Sequence, residues 1–218
     1  MATNLGEAPY YQDGTGKNQP AIGVFGQVTS SAPVNSVDAQ GRAYGADPIW
    51  RPAAYSFTRP ANATAYTAPT TTTPGQMIAN ATAFGSVVPM SFVVPPFVVT
   101  DTPKGLITEF QLDYPTPVTG TVRVEFFRVA PTLTVGGDGS AYAYATPTSL
   151  NDRLGYVDIA LTPNGRGGSS GGSDSIRLAY HGAAPGDMTL YALLSSQTAL
   201  ASTIGGTITG KPTVLRTT

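Results

Sequence analysis

The chain has 218 residues, a formal net charge of −1 and only 11% charged residues, against about 25% in an average soluble protein. This length suits one β-domain of ordinary size plus an extension. The near-neutral charge disfavours a nucleic-acid surface, which needs clustered Lys and Arg. The absence of cysteine excludes disulfides, thiolate catalysis and cysteine zinc sites.

Residues 1–54 show no sustained hydrophobic period of 2 or 3.6 residues, and we predict that they form an extended N-terminal arm. The best strand candidate in the arm is Ile22–Val28, which Gly23 and Gly26 interrupt. Apolar side chains are more frequent there than a solvated tail requires, so we expect partner subunits to order the arm. The alternative is that the arm wraps its own domain. The predicted partner-binding anchors are the arm's large apolar side chains, Tyr10, Tyr11, Ile22, Phe25, Ile49 and Trp50.

The start of the chain does not place an apolar run behind a basic stretch, so we expect no signal peptide and synthesis in a cytoplasm. No apolar run approaches the roughly 20 residues of a membrane helix. We therefore expect neither a membrane nor a nucleic acid among the partners.

From residue 55 to residue 218 the sequence predicts short strands separated by Gly and Pro turns. The clearest strand is Thr121–Val129, in which Val122, Val124 and Phe126 occupy alternate positions, the pattern of a sheet with one buried face. Further strands are predicted at 55–59, 86–94, 97–100, 106–113, 141–145, 154–161, 175–180, 188–194 and 206–216. Their spacing of roughly ten residues predicts an all-β, jelly-roll-like β-sandwich.

Three local patterns have competing interpretations. The run Asn164–Asp174 is rich in Gly and Ser, and because it holds no lysine and a strand follows it, we predict a plain loop rather than a phosphate-binding loop. Gly136–Gly139 offers a single carboxylate, too few for calcium. Arg59, held extended by Pro60, is interpreted as closing the first strand onto its own sheet; the alternative is an anchor to a neighbouring subunit.

The residues that catalysis requires are scarce. His181 is the only histidine, and no Gly-x-Ser-x-Gly elbow is present, which disfavours both serine catalysis and histidine metal sites. Carboxylates suited to paired-acid chemistry exist, but Glu125 lies between Arg123 and Phe127, where a salt bridge or a solvated face explains it. We therefore predict that the protein is not an enzyme and has no catalytic residues, no metal site and no cofactor.

Four motifs occur in an order that resembles a known group of proteins. They are Tyr55-Ser-Phe-Thr-Arg-Pro-Ala-Asn-Ala-Thr-Ala-Tyr66, the hairpin-like Gly85–Phe92, Leu154-Gly-Tyr-Val-Asp158 and Leu190-Tyr-Ala-Leu-Leu194. In order and spacing, over about residues 55–215, they resemble small β-rich structural proteins of tailed bacteriophage virions.

The resemblance implies a capsid decoration, or cement, protein: a jelly-roll-like knob on the outer surface of the major capsid protein lattice, which it stabilises. The implied partners are the major capsid protein and further copies of the chain in a homotrimer. The implied location is the capsid exterior, after synthesis in the host cytoplasm. Three alternatives remain: a tail, neck or fibre-adaptor component, a carbohydrate-binding module, and an ordinary enzyme domain.

Overall fold

The chain divides into two units, residues 1–36 and 37–218. In the first unit, strand β1 (Tyr10–Gln12) pairs antiparallel with strand β2 (Asn18–Pro20). The computed structural model on which this description rests describes residues 10–12, 18–20, 48–60, 65–70, 75–98, 100–144, 152–201 and 205–217.

Within its described residues the second unit contains thirteen strands, one 3-10 turn (η1, Phe84–Ser86) and no α-helix. The all-β prediction is therefore confirmed. In chain order the strands are β3 (Ile49–Trp50), β4 (Tyr55–Thr58), β5 (Met77–Ile78), β6 (Met90–Val94), β7 (Lys104–Tyr114), β8 (Gly120–Phe127), β9 (Leu133–Val135), β10 (Ala143–Tyr144), β11 (Arg153–Pro163), β12 (Ser169–Ser173), β13 (Leu178–His181), β14 (Met188–Ser196) and β15 (Thr207–Arg216).

Eleven of these strands form one antiparallel sheet, while β9 and β10 pair separately. Across the sheet the order is β3 and β4, then β15, β7, β12 and β13, β11, β8, β14, and finally β5 and β6. The two outermost positions are shared because β3 and β4 pair with successive parts of β15, and β6 and β5 with successive parts of β14. The sheet therefore has two outer edges.

The sheet folds back on itself into two packed layers, as in a β-sandwich. Strands β7 and β8 are three strands apart in the order, about 14 Å in a flat sheet, yet the rings of Phe110 and Phe126 lie 5.5 Å apart. Phe92 on β6 lies 6.1 Å from Phe110. Strand β11 lies at the fold, because residues 153–161 pair with β8 and residues 162–163 pair with β12.

The main core lies between the two layers. On β8 the side chains of Val122, Val124 and Phe126 are completely buried in it, as the alternation predicted. Phe127 points to the opposite face, where it forms a second apolar cluster with Met77, Ala79 and Leu193. Half-buried side chains of the 133–142 segment pack against this cluster, so a sheet face that would otherwise meet water is covered.

Two predicted local structures are wrong. The predicted loop 164–174 contains strand β12, whose glycines allow closely spaced backbones: a Cβ on Gly171 would lie 2.1 Å from the carbonyl oxygen of Ala160. The predicted strand 97–100 is a turn in its described residues, since the amide of Asp101 donates to the carbonyl of Val98 at 2.9 Å. The Pro95–Pro96 pair just before it removes two backbone donors from any strand ladder.

Candidate interaction surface

The two outer edges of the folded sheet meet. The indole Nε1 of Trp50 on β3 donates to the backbone oxygen of Val93 on β6 at 3.3 Å. Further along, the ring of Tyr55 on β4 lies 6.3 Å from Phe92, and Phe57 lines a small cleft with Val88. We call this line the seam, defined as residues 48–58 on one side and residues 87–98 on the other.

Trp50 is held in place by the last strand. It lies opposite Val214 in the β3–β15 register. The guanidinium of the buried Arg216 lies 5.2 Å from the centre of the Trp50 ring and 5.8 Å from that of Phe97. Arg216 also donates through Nη1 to the carbonyl of Pro96 at 3.2 Å. Side-chain hydrogen bonds and ring contacts thus join the two edges here.

Exposed apolar side chains concentrate at the seam. Eight large apolar side chains of the described residues are exposed, and four of them belong to the seam although it is a small part of the chain. Exposed apolar side chains concentrated in this way are typical of protein interaction sites. The four are Ile49 (44% exposed), Val88 (54%), Val93 (47%) and Val98 (41%).

Four of the six predicted anchors lie in described strands, and the other two do not lie in the described part of the chain. Ile49 and Trp50 lie on the seam, in a strand of the second unit rather than ahead of it. Tyr10 and Tyr11 lie in β1 of the first unit. Ile22 and Phe25 fall outside the described residues. Sequence reasoning missed Val88, Val93 and Val98; the signal was the nearly unbroken apolar run Met90–Val98, which leaves almost no polar side chain to face water.

Several charged side chains elsewhere form ion pairs with one another. On the outer face of β8 and β11, Arg123 binds Asp158 through two hydrogen bonds of 2.8 and 2.9 Å. Its guanidinium also lies 3.9 Å from the centre of the exposed Tyr156 ring. Because that ring face is covered by a cation, it is a poor stacking platform for a sugar.

Glu125 has the most unusual environment among the described carboxylates. Burial raises its pKa, while Arg153, whose Nη2 lies 2.7 Å from the carboxylate, opposes the rise. Burial also raises the pKa of the neighbouring Tyr142 to about 12. Ion pairing thus accounts for Glu125, as the sequence predicted.

Arg59 acts within its own fold. Its backbone amide donates to the carbonyl of Gly206 at 2.9 Å, and its guanidinium pairs with the buried Asp138. The interpretation that Arg59 closes the first strand onto its own sheet is therefore confirmed. Asp138, the carboxylate of the Gly136–Gly139 turn, is a structural ion-pair partner.

The described residues contain no group of three or more His, Cys, Asp or Glu side chains placed to hold a metal ion. In that part of the chain no helix has both the length and the apolar character needed to cross a membrane. The sequence matches no protein-family model and no curated protein, and the fold matches no solved structure. The seam is the candidate functional surface of the protein.

Proposed function

We propose that the protein is a structural component of a bacteriophage virion that decorates the outer surface of the capsid. In this proposal it binds the major capsid protein lattice and stabilises the assembled shell. A subunit that binds the assembled lattice but not free capsid subunits stabilises the lattice by mass action. The observation that carries the proposal is the apolar seam, where Ile49, Val93 and Val98 are exposed beside the joined edges of the sandwich.

Three properties of the seam support a protein partner. Most of its side chains are apolar or aromatic, as in the centres of protein interfaces, where charged residues are depleted. Trp50 belongs to the residue types that contribute most to binding free energy when an interface buries them. One side of the seam, residues 48–58, also includes the end of the N-terminal arm (residues 1–54), for which we propose contacts with neighbouring subunits, including further copies of this chain.

The first experiment is a measurement of copy number by quantitative mass spectrometry of purified particles. We expect a copy number comparable to that of the major capsid protein. A copy number that is a small fraction of it would overturn capsid decoration in favour of a tail or neck component. Complete absence from particles would rule out a virion protein of either kind.

A second experiment tests the seam itself. Purified protein is added to assembled shells that lack it, and binding is measured by co-sedimentation. We expect Val93→Asp to weaken binding at least about tenfold, because a buried unpaired charge in an interface costs several kcal/mol. The matched control is Val135→Asp, because Val135 is 55% exposed, against 47% for Val93, and lies outside the seam. Equal loss in both variants, or loss in neither, would show that the seam is not the binding surface.

A further inference from the structure

A second concave surface lies away from the seam, where β8 and β13 end and β14 begins. It is a groove of about 420 Å³, within the size range of ligand sites. Both charged or titratable groups and apolar side chains line it. The lining residues that matter here are Arg128, Val129, His181, Pro185, Asp187 and Met188.

Arg128 supplies a fixed positive charge to the groove. Its backbone amide donates to the backbone oxygen of Asp152 at 3.0 Å, and its Nε donates to the Asp152 carboxylate at 2.8 Å. The guanidinium is thereby oriented, yet the side chain is 51% exposed. Its two Nη groups have no hydrogen-bond partner among the described residues. An oriented guanidinium with open donors is suited to a planar carboxylate.

His181 lies on the same groove, at the last position of β13, with an exposed side chain. No hydrogen bond joins its ring to any residue that the structure describes. Lys104 is directly opposite it in the β7–β13 ladder, and such pairs share a sheet face with Cβ atoms about 5 Å apart. Lys104 thus adds positive charge beside His181.

Apolar side chains also line the groove. Val129 is 52% exposed, and it lines the groove together with Pro185 and the half-buried Met188. Asp187 also lines the groove. Its negative charge disfavours a dianion such as phosphate, whereas a single carboxylate held at Arg128 and His181 meets less repulsion.

We propose that this groove binds an acidic peptide segment, in which the carboxylate of an Asp or Glu lies beside an apolar side chain. The carboxylate accepts hydrogen bonds from the Nη groups of Arg128 and from His181. The neighbouring apolar side chain packs on Val129 and Met188. This inference does not depend on capsid decoration, because the groove and the seam are different surfaces.

The test uses three capped dipeptides and the ring signals of His181 in proton NMR. Because His181 is the only histidine, these signals are unambiguous, and every titration is run at one fixed pH. We expect acetyl-Asp-Leu-amide to shift the His181 ring signals saturably. Acetyl-Asn-Leu-amide, which lacks the charge, and acetyl-Asp-Gly-amide, which lacks the apolar side chain, should bind at least about fivefold more weakly.

Two variants and one control complete the test with acetyl-Asp-Leu-amide. Arg128→Gln removes the fixed charge, and Ala183→Asp adds a repulsive charge at an exposed groove position without altering the Arg128–Asp152 pair. Each should weaken binding at least about fivefold, whereas Arg166→Gln, in the exposed 164–168 turn, should not. Failure of the Asp peptide to shift His181 saturably, equal binding of the Asn peptide, or unchanged affinity in both groove variants would each overturn the proposal.

Discussion

The guanidinium of Arg59 and the carboxylate of Asp138 form a buried ion pair, with Nε 2.8 Å from Oδ2 and side-chain exposures of 1% and 0%. The pair joins the end of β4 to the turn between β9 and β10. Asp138 also accepts hydrogen bonds from the Tyr66 hydroxyl at 2.6 Å and from the amide of Ala79 at 3.1 Å. One carboxylate thus connects the 136–139 turn to three positions between residues 59 and 79.

Replacing Arg59 by Met should strongly destabilise the protein, because it leaves the Asp138 carboxylate buried without its cation. We expect a loss of about 3–5 kcal/mol in the free energy of unfolding, measured by urea denaturation. The matched control is Lys211→Met, which breaks the pair of Lys211 with Asp113, whose side chains are 46% and 48% exposed. That loss should be about 0–1 kcal/mol. Similar losses in both variants would show that the buried pair has no special role.

Two buried tyrosines should respond oppositely to loss of the hydroxyl group. Tyr66→Phe removes a short hydrogen bond to an ionised acceptor and should cost about 1.5–3 kcal/mol. The buried hydroxyl of Tyr180 has no hydrogen-bond partner among the described residues, so Tyr180→Phe should leave the free energy of unfolding unchanged or raise it. Burial raises the pKa of both phenols, so both are neutral at physiological pH. Denaturation curves that ranked the two variants in the reverse order would contradict this account.

The glycine at position 171 is required by the close approach of β12 to Ala160. Gly171→Ala places a Cβ 2.1 Å from the backbone oxygen of Ala160, and since backbone atoms must then shift, we expect a loss of about 1–3 kcal/mol. Gly85→Ala is the control, because a Cβ there meets nothing within 4 Å. Its effect on the melting temperature should be small, corresponding to about 0.5 kcal/mol or less. If Gly171→Ala caused no loss of stability, β12 would be able to move away from β11 at little cost in free energy.

Glu125 should give the protein a characteristic pH dependence. Because its folded-state pKa is raised above the ordinary value of 4.5, the folded protein keeps this proton to higher pH than the unfolded chain does. The stability that Glu125 contributes is fully present below its ordinary pKa of 4.5. It is lost as the pH rises through the raised pKa of the folded state. Glu125→Gln removes the titration, so the stability of the variant relative to the natural protein should improve as the pH rises above 4.5.

The measurement for Glu125 is a set of urea denaturation curves at several pH values for both proteins. Gln also removes the negative charge that pairs with Arg153. The informative quantity is therefore how the difference in the free energy of unfolding between the two proteins changes with pH, rather than the size of that difference. If the variant instead became less stable relative to the natural protein as the pH rose, the fold would favour the ionised carboxylate of Glu125.

Where side chains alternate, the strands were predictable from the sequence. Strand β8 was predicted at 121–129 and is found at Gly120–Phe127, because Val122, Val124 and Phe126 recur with period 2. Strand β15 was predicted at 206–216 and is found at Thr207–Arg216. Strand β12 was not predictable in this way, since a Ser-Gly run has low strand propensity and carries no alternation. Its pairing on both sides, with β7 and β11, outweighs that propensity.

The all-β class and the scarcity of charge were predictable from the sequence, because they follow from composition and period, whereas the role of Arg59 was settled by its contacts with Gly206 and Asp138. Only the tertiary structure decided that β3 and β6 meet, placing Trp50 beside Val93 although 43 residues separate them. It also decided that Arg128 and His181 line one groove. Such neighbours depend on strand order and on where the sheet folds, which are set by the packing of the whole core rather than by any local pattern.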